Sequence, residues 1–254
     1  MRHKSPFIYS TLKALIFLPL ATLAGCGSEK ILTKNDIANV NQDHQMVYVW
    51  SMNAILNYEN STSDFIFSGE PKRPENQAAY KGALQQWWSI NNKLQFKNTM
   101  RSLENGEMHH KAFMHAYEGF FEFSEADFQE NLTANPEYNA IDKLVWANRE
   151  AFKEKGLLAW DLVRAIGILG WGYQAGYASK EEAYAYCLRI AQKVQANFSS
   201  HAEMADNYIA GYLYWSMDEG AYEERKKIMN TILDNKHSAW NVFPFDYSLD
   251  KKAD

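Results

Sequence analysis

Residues 157–174 read LLAWDLVRAIGILGWGYQ, and the class of fold that we predict starts from this stretch. Apolar side chains recur in it at helical spacing, with only two charges, Asp161 and Arg164. A helix that is apolar on nearly all sides is typical of the centre of a helical domain. Gly176 follows it and is typical of a helix end.

The remaining chain shows the same helical periodicity, and strand-like alternation is hard to find. Ser179 with Glu182, and Ser200 with Glu203, have the spacing of capping boxes that open helices. We therefore expect an all-α fold, with one compact multi-helix domain over residues 36–254 and an aromatic tail near residue 240 that packs back on it. The predicted helices span about 36–58, 76–89, 92–105, 108–120, 137–155, 157–174, 180–197, 201–217 and 221–234, and another begins near 124.

Composition and charge exclude some classes of function. The chain is 46% hydrophobic and 15% aromatic, enough for a sizeable core. Without residues 1–25, which hold three basic residues and no acid, the net charge falls from −5 to about −8. An acidic domain has no basic field to attract nucleic acid, so we expect no nucleic-acid partner.

The N-terminus has the pattern of a secreted protein. A basic start is followed by an apolar run and small residues, which predicts a signal peptide over residues 1–25. The sequence Leu23-Ala-Gly-Cys26 resembles the bacterial lipobox. That resemblance implies cleavage before Cys26, lipidation of its sulfur and a short tether over residues 26–35. Gly27 then favours the outer membrane, with the domain facing the periplasm.

Two alternatives to this interpretation are cleavage by the ordinary signal peptidase and an uncleaved anchor. If Cys26 is lipidated, Cys187 has no cysteine left to pair with inside the chain. Cys187 lies in an apolar helical stretch, so we interpret it as a small buried hydrophobe rather than a reactive thiol.

The block from Gly156 to Tyr177, with its pattern AWD…R followed by WGY..GY, resembles an uncharacterised bacterial family, the YbeU/YbeR-like proteins. The resemblance covers about residues 80–246 and is densest over 156–217, but it implies no activity. Two positions depart from the family pattern: His201 stands where Trp is common, and Tyr212 where Arg is common. A polar site that used that Arg would be incomplete in this chain.

Asp161 and Arg164 are the first candidate site. They lie three apart on an apolar helix, and a buried charge without a partner is costly. One interpretation is a partly buried ion pair that fixes helix packing. The other is a pocket in which Arg164 binds an anion while Asp161 acts as a base. The aromatic side chains of Tyr173, Tyr177, Tyr184, Tyr208, Tyr212, Tyr214 and Trp215 form either core or a ligand groove.

Glu107 and His110 have the Glu-x-x-His spacing of di-iron bundles, but no second such motif exists in the sequence. We therefore treat them as weak metal candidates. The other interpretation is that they are ordinary side chains on a helix surface. Nucleotide and nucleophile-elbow motifs are missing too, so we expect no cofactor. Gly167, Gly170 and Gly172 predict close helix contacts.

The function we expect is a non-enzymatic, membrane-tethered domain that binds an envelope protein or small ligand; an envelope hydrolase using Asp161 and Arg164 is the alternative.

Overall fold

The computed structural model describes residues 44–136 and 139–249, and within these ranges it has helices and no strand. The predicted all-α class is confirmed. The helices are α1 His44–Ser51, α2 Ala54–Glu59, α3 Gln77–Trp88, α4 Lys93–Glu104, α5 His109–Gly119, α6 Glu125–Ala134, α7 Asn139–Asn148, α8 Leu158–Gln174, α9 Lys180–Asn197, α10 His201–Ser216, α11 Glu219–Asp234 and α12 Ala239–Val242, with a 3-10 turn at Pro74–Asn76.

Helix α8 is the centre of the domain, as its apolar sequence predicts. Thirteen of its 17 residues are buried, and it packs against α1, α3, α4, α5, α9 and α10. Its glycines permit this close packing: a Cβ added at Gly172 would lie 2.1 Å from the ring of Phe96, and one at Gly170 would lie 2.5 Å from Trp50. Gly176 has a φ of +79° just beyond the helix and ends it.

Helices α9 and α10 begin where the sequence predicts. Ser179 and Glu182 form a complete capping box, in which each side chain binds the backbone of the other residue. Ser200 likewise accepts from the backbone N–H of Glu203. The Glu203 carboxylate, however, binds Ser199 and Lys155 instead of Ser200, so only half of the second box forms.

Two predicted helix boundaries are wrong. The helix predicted to reach residue 58 is interrupted at Met52 and Asn53, where backbone hydrogen bonds to Val49 and Trp50 tighten the chain into a turn. The helix predicted over residues 137–155 ends at Asn148. There the guanidinium of Arg149 lies 3.9 Å from the Trp146 ring and donates to the Trp146 carbonyl, 2.6 Å away.

The C-terminal aromatic segment packs back on the body, as expected. Trp240 donates from Nε1 to the carbonyl of Ser51 at 2.7 Å, and its ring stacks on His201 with centroids 5.3 Å apart. Cys187 is fully buried in α9. In the part of the chain that the structure describes, no helix is long and apolar enough to cross a membrane. The predicted signal peptide, Cys26 and the tether lie outside the described residues.

Candidate functional site

A narrow cleft with a volume of about 20 Å³ lies where α8, α10 and α11 meet α2 and the end of α3. We name it the arginine cleft, because two arginines and five aromatic side chains dominate its lining. Those residues are Trp88, Trp160, Trp171, Tyr208, Tyr212, Arg164 and Arg225, together with Leu56, Gly167 and Ile168.

The guanidinium of Arg164 is held between two tryptophans. Its Cζ lies 4.3 Å from the centre of the Trp88 ring and 4.5 Å from that of Trp160. Trp160 and Arg164 are four residues apart on α8 and therefore share a face, while Trp88 comes from the end of α3. Contact with both rings restricts the position of the guanidinium and shields it from part of the solvent.

One hydrogen bond sets the orientation of Arg164. Its Nη1 lies 3.1 Å from Nδ1 of His109. A guanidinium has no acceptor, so Nδ1 must accept and the imidazole is neutral with its proton on Nε2. Burial lowers the pKa of His109, against the opposite effect of Asp161, which agrees with a neutral ring.

Asp161 does not face the cleft but binds the start of α5. It is fully buried, and its carboxylate accepts from the backbone N–H of His109 at 3.3 Å and of His110 at 3.1 Å. Met108, the residue at the N-cap of α5, supplies no side-chain cap. Asp161 thus caps this helix from another helix, where its negative charge also interacts favourably with the helix dipole.

Asp161 and Arg164 therefore do not form the direct ion pair that one sequence interpretation describes. Among the described residues, no carboxylate lies within 4.0 Å of the Arg164 guanidinium. Burial lowers the pKa of Arg164 to about 10, which leaves it a cation at neutral pH. A largely desolvated cation without a contacting carboxylate is an incomplete arrangement, because a buried charge is stable when it is paired.

The second arginine enters the cleft from α11. Arg225 is buried, its Cζ lies 3.4 Å from the centre of the Tyr212 ring, and its Nη2 forms an ion pair with Oε1 of Glu59 at 2.7 Å. Burial raises the pKa of Glu59, and Arg225 opposes that rise. Because this pair is neutral overall, Arg164 is the remaining charge of the cleft lining, and the nearby Asp161 carboxylate compensates part of it by opposing the fall in the Arg164 pKa.

Two donors beside the cleft also lack acceptors. Nε1 of Trp160 and Nε of Arg225 are buried, and neither has a hydrogen-bond partner within the described chain. Both side chains line the cleft. Unpaired buried donors are rare in folded proteins, and here they lie beside a cation. The cleft is thus rich in donors and positive charge and poor in acceptors, an arrangement that suits an anion.

Helix packing places Trp160 beside Arg164. A Cβ added at Gly211 of α10 would lie 2.2 Å from the Cβ of Trp160, so only glycine allows this approach of α10 to α8. Tyr208, also on α10, lies against the same indole, with ring centroids 5.1 Å apart. Burial raises the pKa of the Tyr208 hydroxyl, which keeps it protonated.

The metal candidates do not gather into a site. Across the described ranges, no three His, Cys, Asp or Glu side chains come together as ligands. Glu107 is exposed, whereas His110 is half-buried, with its ring against Gly106 and Gly156. A Cβ at Gly106 or Gly156 would lie 2.7 or 2.6 Å from that ring.

A comparison with known protein families identifies the family of this chain. The profile of a family described as a protein of unknown function, DUF1266, matches residues 83–245. The chain belongs to the DUF1266 family. No curated protein and no solved structure matches it. The DUF1266 region includes the end of α3 and all of α8, α10 and α11, so it contains every cleft residue except Leu56, which precedes it.

The sequence identifies part of the arginine cleft. Arg164, Tyr208 and Tyr212 were candidates and line it, and the guanidinium of Arg225 lies over Tyr212, where the family resemblance implies an Arg. Trp88, Trp171, Arg225 and Glu59 were not candidates. A buried Arg on the charged helix α11 has no distinguishing signal in the sequence, because its partner Glu59 is far away along the chain.

Proposed function

We propose that this DUF1266 protein is a membrane-tethered binding protein of the cell envelope, and that it binds a small anionic molecule in the arginine cleft. The observation that carries the binding proposal is the Arg164 guanidinium, which is stacked between Trp88 and Trp160 with no carboxylate in contact. An anion in the cleft would supply the missing charge and accept from the unused N–H groups of Arg164.

The tether part of the proposal rests on the sequence. The signal-peptide pattern and Leu23-Ala-Gly-Cys26 support lipidation of Cys26, and Gly27 supports placement in the outer membrane facing the periplasm. Several acyl chains on one residue anchor a protein stably, since each buried methylene contributes about 0.8 kcal/mol. The pattern AWD…R…WGY further supports a YbeU/YbeR-like membership within the DUF1266 family.

Mass spectrometry of the mature N-terminus tests the tether. We expect the native protein to begin at Cys26 and to carry acyl chains, and a Cys26→Ser variant to lose both the cleavage and the acyl mass. A native product that begins at another residue, or that starts at Cys26 without lipid, would refute the tether and leave the cleft unaffected.

Ligand-dependent stability tests the binding. We expect at least one of phosphate, sulfate and acetate to raise the melting temperature of the full chain above that in chloride at equal ionic strength, since a ligand stabilises the state that binds it. Arg164→Gln should abolish the increase. Arg189→Gln is the matched control, because Arg189 is half-exposed and paired with Glu104. Equal increases in all three proteins, or none with any anion, would contradict the proposal.

The hydrolase alternative has less support. A general base must reach the proton that it abstracts. The carboxylate of Asp161 is fully buried and accepts from two backbone amides of α5. The geometry around Arg164 therefore favours binding over hydrolysis.

A further inference from the structure

A second, larger cavity lies directly beside the arginine cleft. Its volume is about 610 Å³, within the range of small-molecule sites. Leu56 and Trp171 line both spaces, so the two are neighbours. We name the larger space the polar cavity.

The lining of the polar cavity is mostly uncharged and rich in hydrogen-bonding groups. Amides and hydroxyls predominate, and three aromatic side chains accompany them. The polar residues are Asn53, Asn57, Asn60, Asn76, Ser61, Thr62, Ser63 and Ser68, and the aromatic ones are Trp50, Tyr80 and Trp171.

The charged residues of the lining leave little net charge. Glu59 is paired with Arg225, and Glu70 accepts from the Tyr80 hydroxyl at 2.6 Å. Arg73 is exposed. This lining suits a neutral body with many hydroxyls, because amides both donate and accept and aromatic faces pack against sugar rings.

An unpaired acceptor marks the boundary of the two spaces. Asn53 is only 2% exposed, and while its Nδ2 donates to Oδ1 of Asn57 at 3.1 Å, its own Oδ1 has no partner in the described residues. The same amide lies against Gly167, which lines the arginine cleft: a Cβ there would be 3.6 Å from the Asn53 oxygen. A buried carbonyl oxygen without a donor fits a ligand hydroxyl or N–H.

We infer that the two spaces hold one acidic saccharide, with its carboxylate or phosphate against Arg164 and its hydroxylated body in the polar cavity. The inference rests on the proposed function, because it uses the same anion site. It adds the class of the ligand. A simple anion leaves the polar cavity unfilled, and a neutral sugar brings no carboxylate or phosphate into contact with Arg164.

Four probes test this assignment on the full chain by isothermal titration calorimetry: glucuronate, glucose 6-phosphate, glucose and inorganic phosphate. We expect at least one acidic sugar to bind about tenfold or more tightly than both glucose and phosphate. Glucose lacks the charge-assisted hydrogen bond to Arg164, and phosphate lacks the hydroxyl groups that bind in the polar cavity. The stronger of the two acidic sugars identifies the anionic group. If neither exceeds phosphate, the saccharide assignment is refuted.

A cavity-filling variant separates this inference from the proposed function. Ala83 lines the polar cavity from α3, so Ala83→Trp should weaken the acidic sugar about tenfold or more and leave phosphate binding unchanged. Gln85→Trp adds the same bulk at an exposed position of α3. Circular dichroism checks that both fold, and Ala79→Trp replaces Ala83→Trp if that variant does not.

The outcomes are distinguishable. Arg164→Gln should lose both phosphate and the acidic sugar. If phosphate binding depends on Arg164 but Ala83→Trp leaves the acidic sugar unaffected, the saccharide inference is wrong and the anion site stands. If neither phosphate nor an acidic sugar binds in an Arg164-dependent way, both proposals are wrong.

Discussion

Nη1 of Arg164 donates to Nδ1 of His109 at 3.1 Å, while the backbone N–H of the same His109 donates to the buried carboxylate of Asp161. The two charges of α8 thus meet through one residue of α5 instead of pairing directly. Asp161 holds the start of α5 in place, and the neutral imidazole then orients the guanidinium between its tryptophans. One charge has a structural role, and the other faces the cleft.

The capping role of Asp161 predicts a loss of stability. Asp161→Asn removes the charge at the N-terminus of α5 and should lower the free energy of unfolding by about 2 kcal/mol, because hydrogen bonds to a charged group contribute about 1.5–3 kcal/mol. Urea denaturation measures this. The exposed Glu107→Gln should change it by less than about 0.5 kcal/mol. An Asp161→Asn variant as stable as the wild type would contradict the capping role.

His201 predicts a loss of stability in acid. Burial lowers its pKa to about 4, whereas an unfolded His titrates near 6.5. Below about pH 6.5 the unfolded chain therefore binds a proton that the folded chain does not, so stability falls as the pH falls towards 4. Between neutral pH and about pH 4.5, this difference in pKa lowers the free energy of unfolding by about 2–3 kcal/mol.

His201→Phe should remove this part of the acid sensitivity. Its ring can keep the stacking on Trp240. Urea unfolding at about pH 7 and about pH 4.5 compares the two proteins. The variant should lose less stability than the wild type between these pH values. An equal loss in both would show that His201 is not the group responsible.

Asp64 predicts the opposite pH dependence. Burial raises its pKa to about 7, against the opposing hydrogen bond from Asn57. Because this value is higher than in the unfolded chain, stability is lost as the pH rises from about 4 to about 7. Asp64→Asn should therefore raise the melting temperature at about pH 8 and much less at about pH 4. The same difference at both pH values would contradict the shift.

Gly211 predicts a steric effect at the cleft. Gly211→Ala places a methyl group 2.2 Å from the Cβ of Trp160, which cannot rotate away, and should destabilise the protein by about 1–3 kcal/mol. Gly82→Ala, at an open position of α3, should stabilise it by about 0.5–1 kcal/mol. Thermal unfolding compares the two. A Gly211→Ala variant as stable as the wild type would argue against close α8–α10 contact.

Much of the fold follows from local sequence. Helical apolar periodicity and caps such as Ser179 with Glu182 act over a few residues, so the bounds of α9 are predicted correctly. The break at Met52 and Asn53 is not predicted, because neither Gly nor Pro marks it. The turn is formed by backbone hydrogen bonds from Met52 to Val49 and from Asn53 to Trp50, which place no requirement on the side chains.

The candidate site is only partly predictable, for a physical reason. Arg164 stands out because it is a charge on an apolar helix. Its partners are not evident from the sequence: Trp88 and His109 come from other helices. The groups that bind Asp161 are backbone amides, which leave no mark on the choice of side chain.

The anion site at Arg164 is tested most directly by a crystal of the protein grown with selenate and measured at the selenium absorption edge. We expect an anomalous difference peak in the arginine cleft, with selenate oxygens about 2.8 Å from the Arg164 guanidinium nitrogens, and no such peak in crystals of Arg164→Gln. Selenate bound only elsewhere on the protein, or a peak in the cleft that persists without Arg164, would contradict this assignment.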